Sequence, residues 1–328
     1  MSKRRLGALL GLLAALLLAL TACVKTDDDG SKDVYNDPSA NPGFSLPDNP
    51  RVVALGWSDG GIALELGVKP VALYDWMAFG PETKGVGSWD AAKFGDVTPT
   101  LLSAQSQGAF NYQQIEELKP DLILNVRAKD DPKVTDRLAK IAPVVTAPKG
   151  SADFAVNWKT QTALIGKALG KSDAADKLIA DTEATSNRLK AANPALNGKT
   201  FVNAVKYGTA YGAYLAGDAR FDIFAGLGLV QNPPVTKLAS SGFFASVPVE
   251  RVGDLNADVA LFSTISLPFS DLQNDARLNS LAVVRDGRAV EIPEDDPANK
   301  GLAAGTPVSL KFSLDEITPK LATAVAKL

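Results

Sequence analysis

The sequence predicts an α/β protein of two lobes with mostly parallel sheets, joined by one long helix. Three observations carry this. From Arg51 onward, short apolar β-like runs alternate with helical stretches, and strand–helix–strand repetition builds parallel sheets. A helical pattern runs unbroken from Asp173 to about Ala192. Short stretches on one side of that pattern are echoed on the other.

Val52–Leu55 and Val71–Tyr74 are apolar and flank Gly61–Leu66, a helical connection closed by Gly67. Asp121–Asn125 reads as a buried strand reached through the helical Gln113–Leu118, and Val144–Thr146 as a fourth strand. Asn157–Leu169 reads as a helix ended by Gly170. Ser172 then serves as N-cap of the long helix, which Asn193-Pro194 stops. Ala175, Leu178, Ile179, Thr182 and Leu189 approximate one apolar face. A helix of about 20 residues spans roughly 30 Å, enough to bridge two lobes. Periodicity alone leaves open a surface helix of a single domain.

The internal echo favours two lobes. Gln114-Ile115-Glu116-Glu117-Leu118-Lys119-Pro120-Asp121-Leu122-Ile123-Leu124 resembles Arg251-Val252-Gly253-Asp254-Leu255-Asn256-Ala257-Asp258-Val259-Ala260-Leu261. Each places an apolar residue and Leu three apart on a helical turn, then Asp, then an apolar strand. Leu66-Gly67-Val68 is echoed by Leu227-Gly228-Leu229. The division that follows is an N-terminal lobe over 51–170, an interlobe helix over 171–198 and a C-terminal lobe over 199–328.

Composition narrows the chemistry. Of 328 residues, 46% are hydrophobic and 22% charged, which supports packed cores and argues against wholesale disorder. Lys and Arg number 34 against 37 Asp and Glu, a net charge of −3, so nothing points to nucleic acid as a partner. The chain has no histidine and one cysteine, Cys23. Without His it lacks the usual imidazole base and the commonest transition-metal ligand. A single Cys excludes an internal disulfide, a zinc ribbon and a Cys-x-x-Cys redox pair.

Lys3, Arg4 and Arg5 precede an apolar run from Leu6 to Leu20. The run is shorter than the roughly 20 residues of a membrane span but fits a signal-peptide core behind a basic segment. It ends in Leu20-Thr21-Ala22-Cys23, which looks like a bacterial lipobox. Residues 1–22 are thus expected to be a lipoprotein signal peptide, with Cys23 lipidated; two or more acyl chains anchor a protein stably. Residues 23–50, with Asp27-Asp28-Asp29-Gly30 and scattered Asn, Pro and Ser, read as a flexible tether. The folded part is expected outside the cytoplasm.

Beyond periodicity, particular segments resemble a known family. Pro50-Arg51-Val52-Val53-Ala54-Leu55, Leu66-Gly67-Val68-Lys69-Pro70-Val71 and Asn111 through Leu124 look like the N-lobe of the ferric-siderophore, haem and vitamin B12 binding proteins of bacterial ABC importers. Ile165-Gly166-Lys167-Ala168-Leu169-Gly170 resembles that family's approach to its interlobe helix. Ala282-Val283-Val284-Arg285-Asp286-Gly287-Arg288 and Leu314-Asp315-Glu316-Ile317 resemble its C-terminal lobe. The similarity covers nearly everything from Arg51 onward.

The resemblance implies two Rossmann-like lobes joined by one rigid helix, with a ferric siderophore in the cleft and only modest closure. It implies a monomer without a cofactor, anchored to the membrane and partnered by an ABC permease and its ATPase. Iron would arrive already chelated; haem and cobalamin are the in-family alternatives. An acidic residue on each lobe commonly meets permease arginines. On the C-lobe this falls on Glu250. The N-lobe position holds Gln113 instead, and Glu116, one turn on, can substitute.

In α/β lobes ligands gather beyond the carboxyl ends of the strands. There the sequence places Trp57-Ser58-Asp59, Asp75-Trp76, Val126-Arg127, Lys206-Tyr207 and Ser263-Thr264. A cleft for a bulky chelate needs aromatic walls and a few directed donors. Trp57, Trp76, Tyr207 and Tyr211 are the stacking candidates; Trp89, Phe243 and Phe244 follow. Arg127 and Arg220 are the charged contacts, with Lys206 a third, because a guanidinium can donate two hydrogen bonds to the oxygens of a trianionic ferric tris-catecholate.

A second class of reading comes from Gly56-Trp57-Ser58-Asp59-Gly60, which matches G-x-S-x-G between a strand and a helix, the setting of a hydrolase nucleophile. Ser58 would need a base, and the chain has no His to provide one. Neither nucleotide-binding glycine motif, G-x-x-x-x-G-K nor G-x-G-x-x-G, occurs. Replacing Cys23 with Ala is expected to release the protein or leave it with an uncleaved signal. Fatty-acid labelling that survives in the variant would sink the anchor.

Overall fold

The computed structural model describes residues 37–104, 109–238 and 240–328. Cys23, the apolar run before it and residues 23–36 lie outside them. No helix among the described residues is long and apolar enough to cross a membrane.

Five short strands form the first sheet: β1 (Val52–Ala54), β2 (Ala72–Tyr74), β3 (Thr100–Leu102), β4 (Leu122–Asn125) and β5 (Val144–Thr146). Their order is β3-β2-β1-β4-β5 and every pairing is parallel. The runs are uniformly apolar because both faces are covered. Val52 and Ala54 enter one core, Val53 and Leu55 the other.

The second sheet contains β6 (Thr200–Tyr207), β7 (Ala210–Tyr214), β8 (Val230–Gln231), β9 (Ser240–Ser241), β10 (Phe244–Val247), β11 (Val259–Ile265) and β12 (Ala289–Glu291). The main order is β12-β11-β6-β7-β10-β9, with β8 beside the start of β6. Only the β12, β11, β6 and β8 pairings are parallel; β7, β10 and β9 run antiparallel. The expectation of mostly parallel sheets therefore holds for the first sheet and for half of the second. The antiparallel half starts at the hairpin after Tyr207, whose Gly208 takes a φ of 51°.

The internal echo has a physical basis. Asp121, just before β4, accepts a hydrogen bond from the Arg51 N–H at 2.7 Å. Asp258, just before β11, accepts one from the Thr200 N–H at 2.8 Å. In each lobe an Asp thus ties the starts of two neighbouring central strands. Gly67 and Gly228 close their helices with φ of 84° and 93°, a left-handed conformation that only glycine adopts without strain.

The long helix spans Ser172–Ala192. Ser172 is its first residue rather than its cap: Lys171 holds that position and offers no side-chain bond. The turn after Gly170 is so tight that the Lys171 N–H already reaches the Gly166 carbonyl at 2.7 Å. The helix packs against Trp158–Ala168 on one side and the C-terminal helix Pro307–Val325 on the other.

Residues 37–50 differ from the flexible tether expected of them. Pro38 is buried, and Phe44 and Leu46 pack against the first lobe's core. The Lys167 ammonium pairs with Asp37. Three apolar anchors spaced irregularly among Asn, Pro and Ser leave no period to read, yet they dock the segment.

Candidate functional site

The first lobe presents an aromatic stack at the carboxyl ends of its strands. After β1 the chain turns through Ser58, left-handed at φ 65°, into the helix Asp59–Glu65. This carries Trp57 outward, face to face with Trp76 of the loop after β2, the ring centroids 4.3 Å apart and 4° from parallel. Phe154 stacks on the other face of Trp57, also at 4.3 Å. The Trp76 indole donates to Ser58 Oγ at 3.2 Å. Ser58 therefore locks the stack.

Asp59 pins the loop from beneath. Fully buried, it accepts from Val126 N–H and the Gln161 amide, each at 2.7 Å. Burial pushes its carboxyl up to about 6, and these donors keep it ionised at neutral pH.

Arg127 follows β4 where the sequence places it, but it does not reach into the cleft. Its side chain is 4% exposed. Nε donates to the Phe154 carbonyl at 3.3 Å. Nη1 donates to the Ala303 and Ala304 carbonyls at 3.2 and 3.3 Å, the last turn of the helix Pro297–Ala304. Nη2 lies 3.6 Å from Asp218 Oδ2. The guanidinium also sits 5.6 Å from the Trp57 ring. A cation on the C-terminal carbonyls of a helix suits that helix's dipole. Burial lowers the Arg127 pKa to about 10, which leaves it charged.

Asp218 and Arg220 complete the network from the second lobe. Asp218 caps the helix Ala219–Ala225 through the Arg220 N–H. It also takes the Arg220 guanidinium in a fork, Nε to Oδ1 at 2.7 Å and Nη2 to Oδ2 at 2.8 Å. Burial would raise the Asp218 carboxyl, but the two guanidinium groups outweigh it and hold it below the ordinary range. The Arg220 plane lies over Tyr214 at 3.8 Å and faces Phe243 at 5.3 Å.

Between the lobes lies a cavity of about 570 Å³. Trp57, Trp76, Met77 and Ala78 line it from the first lobe; Tyr214, Arg220, Phe243, Phe244, Thr264 and Ile265 line it from the second, with Glu294, Asn299 and Lys300 at one side. The walls are mainly aromatic with a few polar tips, as a site for a bulky organic ligand requires. Among the described residues no group of three or more His, Cys, Asp or Glu could hold a bare metal ion.

Trp57, Trp76 and Arg220 are thus brought together at the cavity, with Phe243 and Phe244. Lys206 and Tyr211 are not. Strand residues alternate between faces, and Val205 and Tyr214 face the cavity. Lys206 and its cross-strand partner Tyr211 consequently point to the opposite face, where both bond Asp275, the tyrosine at 2.7 Å. Tyr207 shares the face of Val205 and tilts against Phe244 at 5.9 Å, but it does not line the cavity. Trp89 packs on Phe79 and Phe312 instead. Sequence reading misses Tyr214, Phe154, Asp218 and the Glu294–Lys300 segment. Asp296-Pro297, a cap followed by a first-turn proline, is the one signal that marks a helix start there. Glu250 is exposed at the head of the turn Val249–Leu255, and Glu116 is exposed on the helix Tyr112–Glu117. Gln113 donates to Glu117 at 3.0 Å.

Residues 52–295 match the model of the periplasmic binding protein family. The chain belongs to that family. Its fold is the family's two-lobed one. A probable siderophore-binding lipoprotein of Bacillus subtilis, YfiY, is 27% identical over 282 residues, 80% of each chain. A periplasmic solute binding protein of Mycobacterium smegmatis superposes with a TM-score of 0.73 at 26% identity, covering 85% of this chain and 94% of that one. PiaA of Streptococcus pneumoniae, solved in complex with ferrichrome, does so at 0.71 and 26%, covering 86% and 96%. Membership and the lipoprotein relative imply an extracytoplasmic location.

Within this binding-protein fold Arg127 acts as an interlobe strut. Arg127→Ala strips the donors from two helix-terminal carbonyls and one partner from Asp218. It is expected to lower the unfolding free energy by about 3 kcal/mol or more. Urea unfolding of the purified protein measures this; a loss below about 1 kcal/mol would be no more than an average single hydrogen bond contributes and would remove the strut.

Proposed function

We propose that this chain is the solute-binding component of an ABC importer, held on the outer face of the membrane by a lipid on Cys23. It captures a ferric siderophore and delivers it to the permease, without doing chemistry itself, and works as a monomer. The observation that carries this reading is the cavity of about 570 Å³ between two lobes, walled by Trp57, Trp76, Tyr214, Phe243 and Phe244. An organic chelate with its iron enclosed presents an apolar, polarisable surface to such walls and leaves carbonyl oxygens for Arg220, Asn299 and Lys300. Ferrichrome in PiaA and the siderophore assignment of YfiY support the same ligand class. Arg127 enters as support of the site, through its contacts to Asp218 and beneath Trp57.

Ferric siderophores added to the purified protein are expected to quench tryptophan emission saturably, because two of the four tryptophans line the cavity. Trp57→Ala should weaken that binding by about tenfold, the scale of one buried aromatic contact. Tighter binding of haem or cobalamin than of any ferric siderophore would redirect the reading.

Glu250, exposed on the C-lobe, is proposed to meet the permease, with Glu116 as its N-lobe counterpart. Glu250→Ala should leave the affinity of the isolated protein for ligand as it was and reduce uptake into cells several-fold. Loss of ligand binding by the isolated variant would assign Glu250 to the fold or the ligand instead.

A further inference from the structure

We propose that Asp218 is a specificity residue: by masking both arginines of the site it suits the cleft to ferric chelates of little or no net charge, such as tris-hydroxamates, over trianionic tris-catecholates. This rests on the siderophore reading above and deepens it.

Two arginines in the binding loops suggest an anion site, and the geometry says otherwise. Arg127 has all its nitrogens engaged, with three backbone carbonyls and with Asp218. Arg220 does line the cavity, yet Nε and Nη2 are both turned onto the Asp218 carboxylate and one face of the plane is covered by Tyr214. Only Nη1 is left unused by Asp218, enough to donate to one chelate oxygen. The other charged groups on the wall are Glu294 and Lys300, one of each sign. Glu294 is fixed by the Ser266 N–H at 2.6 Å. Arg220 with Asp218, and Lys300 with Glu294, bring the wall near electroneutrality.

A ligand carrying three negative charges would leave water for a cavity whose one arginine is already paired with Asp218, and would face the Glu294 carboxylate with only Lys300 to offset it. Moving charge out of water without a partner is strongly unfavourable, and such unpaired charge is how a site rejects the wrong ligand. A neutral chelate loses nothing by the same masking, because its attraction comes from the aromatic walls. The spacing Asp218-Ala219-Arg220 makes the device compact. One side chain caps the helix, forks onto Arg220 and reaches Arg127.

The test compares the dissociation constants of a neutral ferric tris-hydroxamate and a trianionic ferric tris-catecholate, read by tryptophan quenching of the purified protein. The wild-type protein is expected to favour the neutral chelate by about tenfold or more. Asp218→Asn retains a good helix cap and frees both guanidinium groups. It should shift the ratio toward the trianion by at least about tenfold, and the shift should shrink in high salt. Wild-type protein that binds the trianion as tightly as the neutral chelate overturns the proposal, and this arm stands even where the variant does not fold. A folded variant with the wild-type ratio overturns it too. Binding of neither chelate would instead overturn the siderophore reading on which it rests.

Discussion

Arg127, Asp218 and Arg220 form a buried chain of alternating charge across the boundary between the lobes. The first lobe alone would bury the Arg127 guanidinium without a bonded carboxylate, whereas in the second Asp218 and Arg220 already form a fork. Assembled, the three groups satisfy one another, the last carbonyls of the helix Pro297–Ala304 and the Arg220 N–H in the first turn of the helix Ala219–Ala225. Breaking such a buried network costs several kcal/mol because the remaining partners stay desolvated. The network therefore fixes where the two walls of the cavity stand, and the aromatic stack of Trp57, Trp76 and Phe154 rests directly on it.

A second clasp lies behind the first. Glu65, at the end of the helix Asp59–Glu65, accepts from the Val308 N–H at 3.2 Å, at the start of the C-terminal helix. Burial, and Asp90 facing it, push the Glu65 carboxyl well above its ordinary range. Asp90 is also raised by burial, although Lys93 pairs with it. Two acids thus meet with one lysine where the first lobe touches the C-terminal helix. With the long helix Ser172–Ala192 packed between Trp158–Ala168 and Pro307–Val325, the lobes are held at three places. Such a frame favours small adjustments over wide opening, because large separation would expose buried polar partners at every one of them.

On the proposed reading, recognition on this frame rests on area rather than on charge. Tryptophan, tyrosine and phenylalanine bring large apolar faces at little conformational cost, and the strand ends and following loops hold them in place. The polar groups at the cavity are few and already paired in part, which makes them orienting contacts. The long reach of the Asp218 carboxylate governs how much of their charge a ligand meets.

The amino-acid sequence by itself determined the alternation of elements, the two-lobed plan and the places where loops leave the sheets. β1, β2, β4 and β5 are legible because strands buried on both faces are continuous apolar runs bounded by turn residues, a local property. The repeated Asp before β4 and β11 is legible because each carboxylate accepts an N–H at the start of the neighbouring strand, and the glycines at 67 and 228 because each supplies a left-handed turn. Trp57 and Trp76 are legible for the same reason: they stand just past strands whose ends are locally marked, whereas Arg220 lies in the first turn of the helix Ala219–Ala225. The antiparallel half of the second sheet was decided only by tertiary structure, as was the docking of residues 37–50 through three unevenly spaced apolar anchors. So was the face to which Lys206 and Tyr211 turn, since a shift of one residue in strand parity reverses it. Above all, the sequence shows two arginines and cannot show that one aspartate answers both. Asp218 lies 91 positions from Arg127, and only packing of one lobe on the other brings their charges together in a medium where they must neutralise each other.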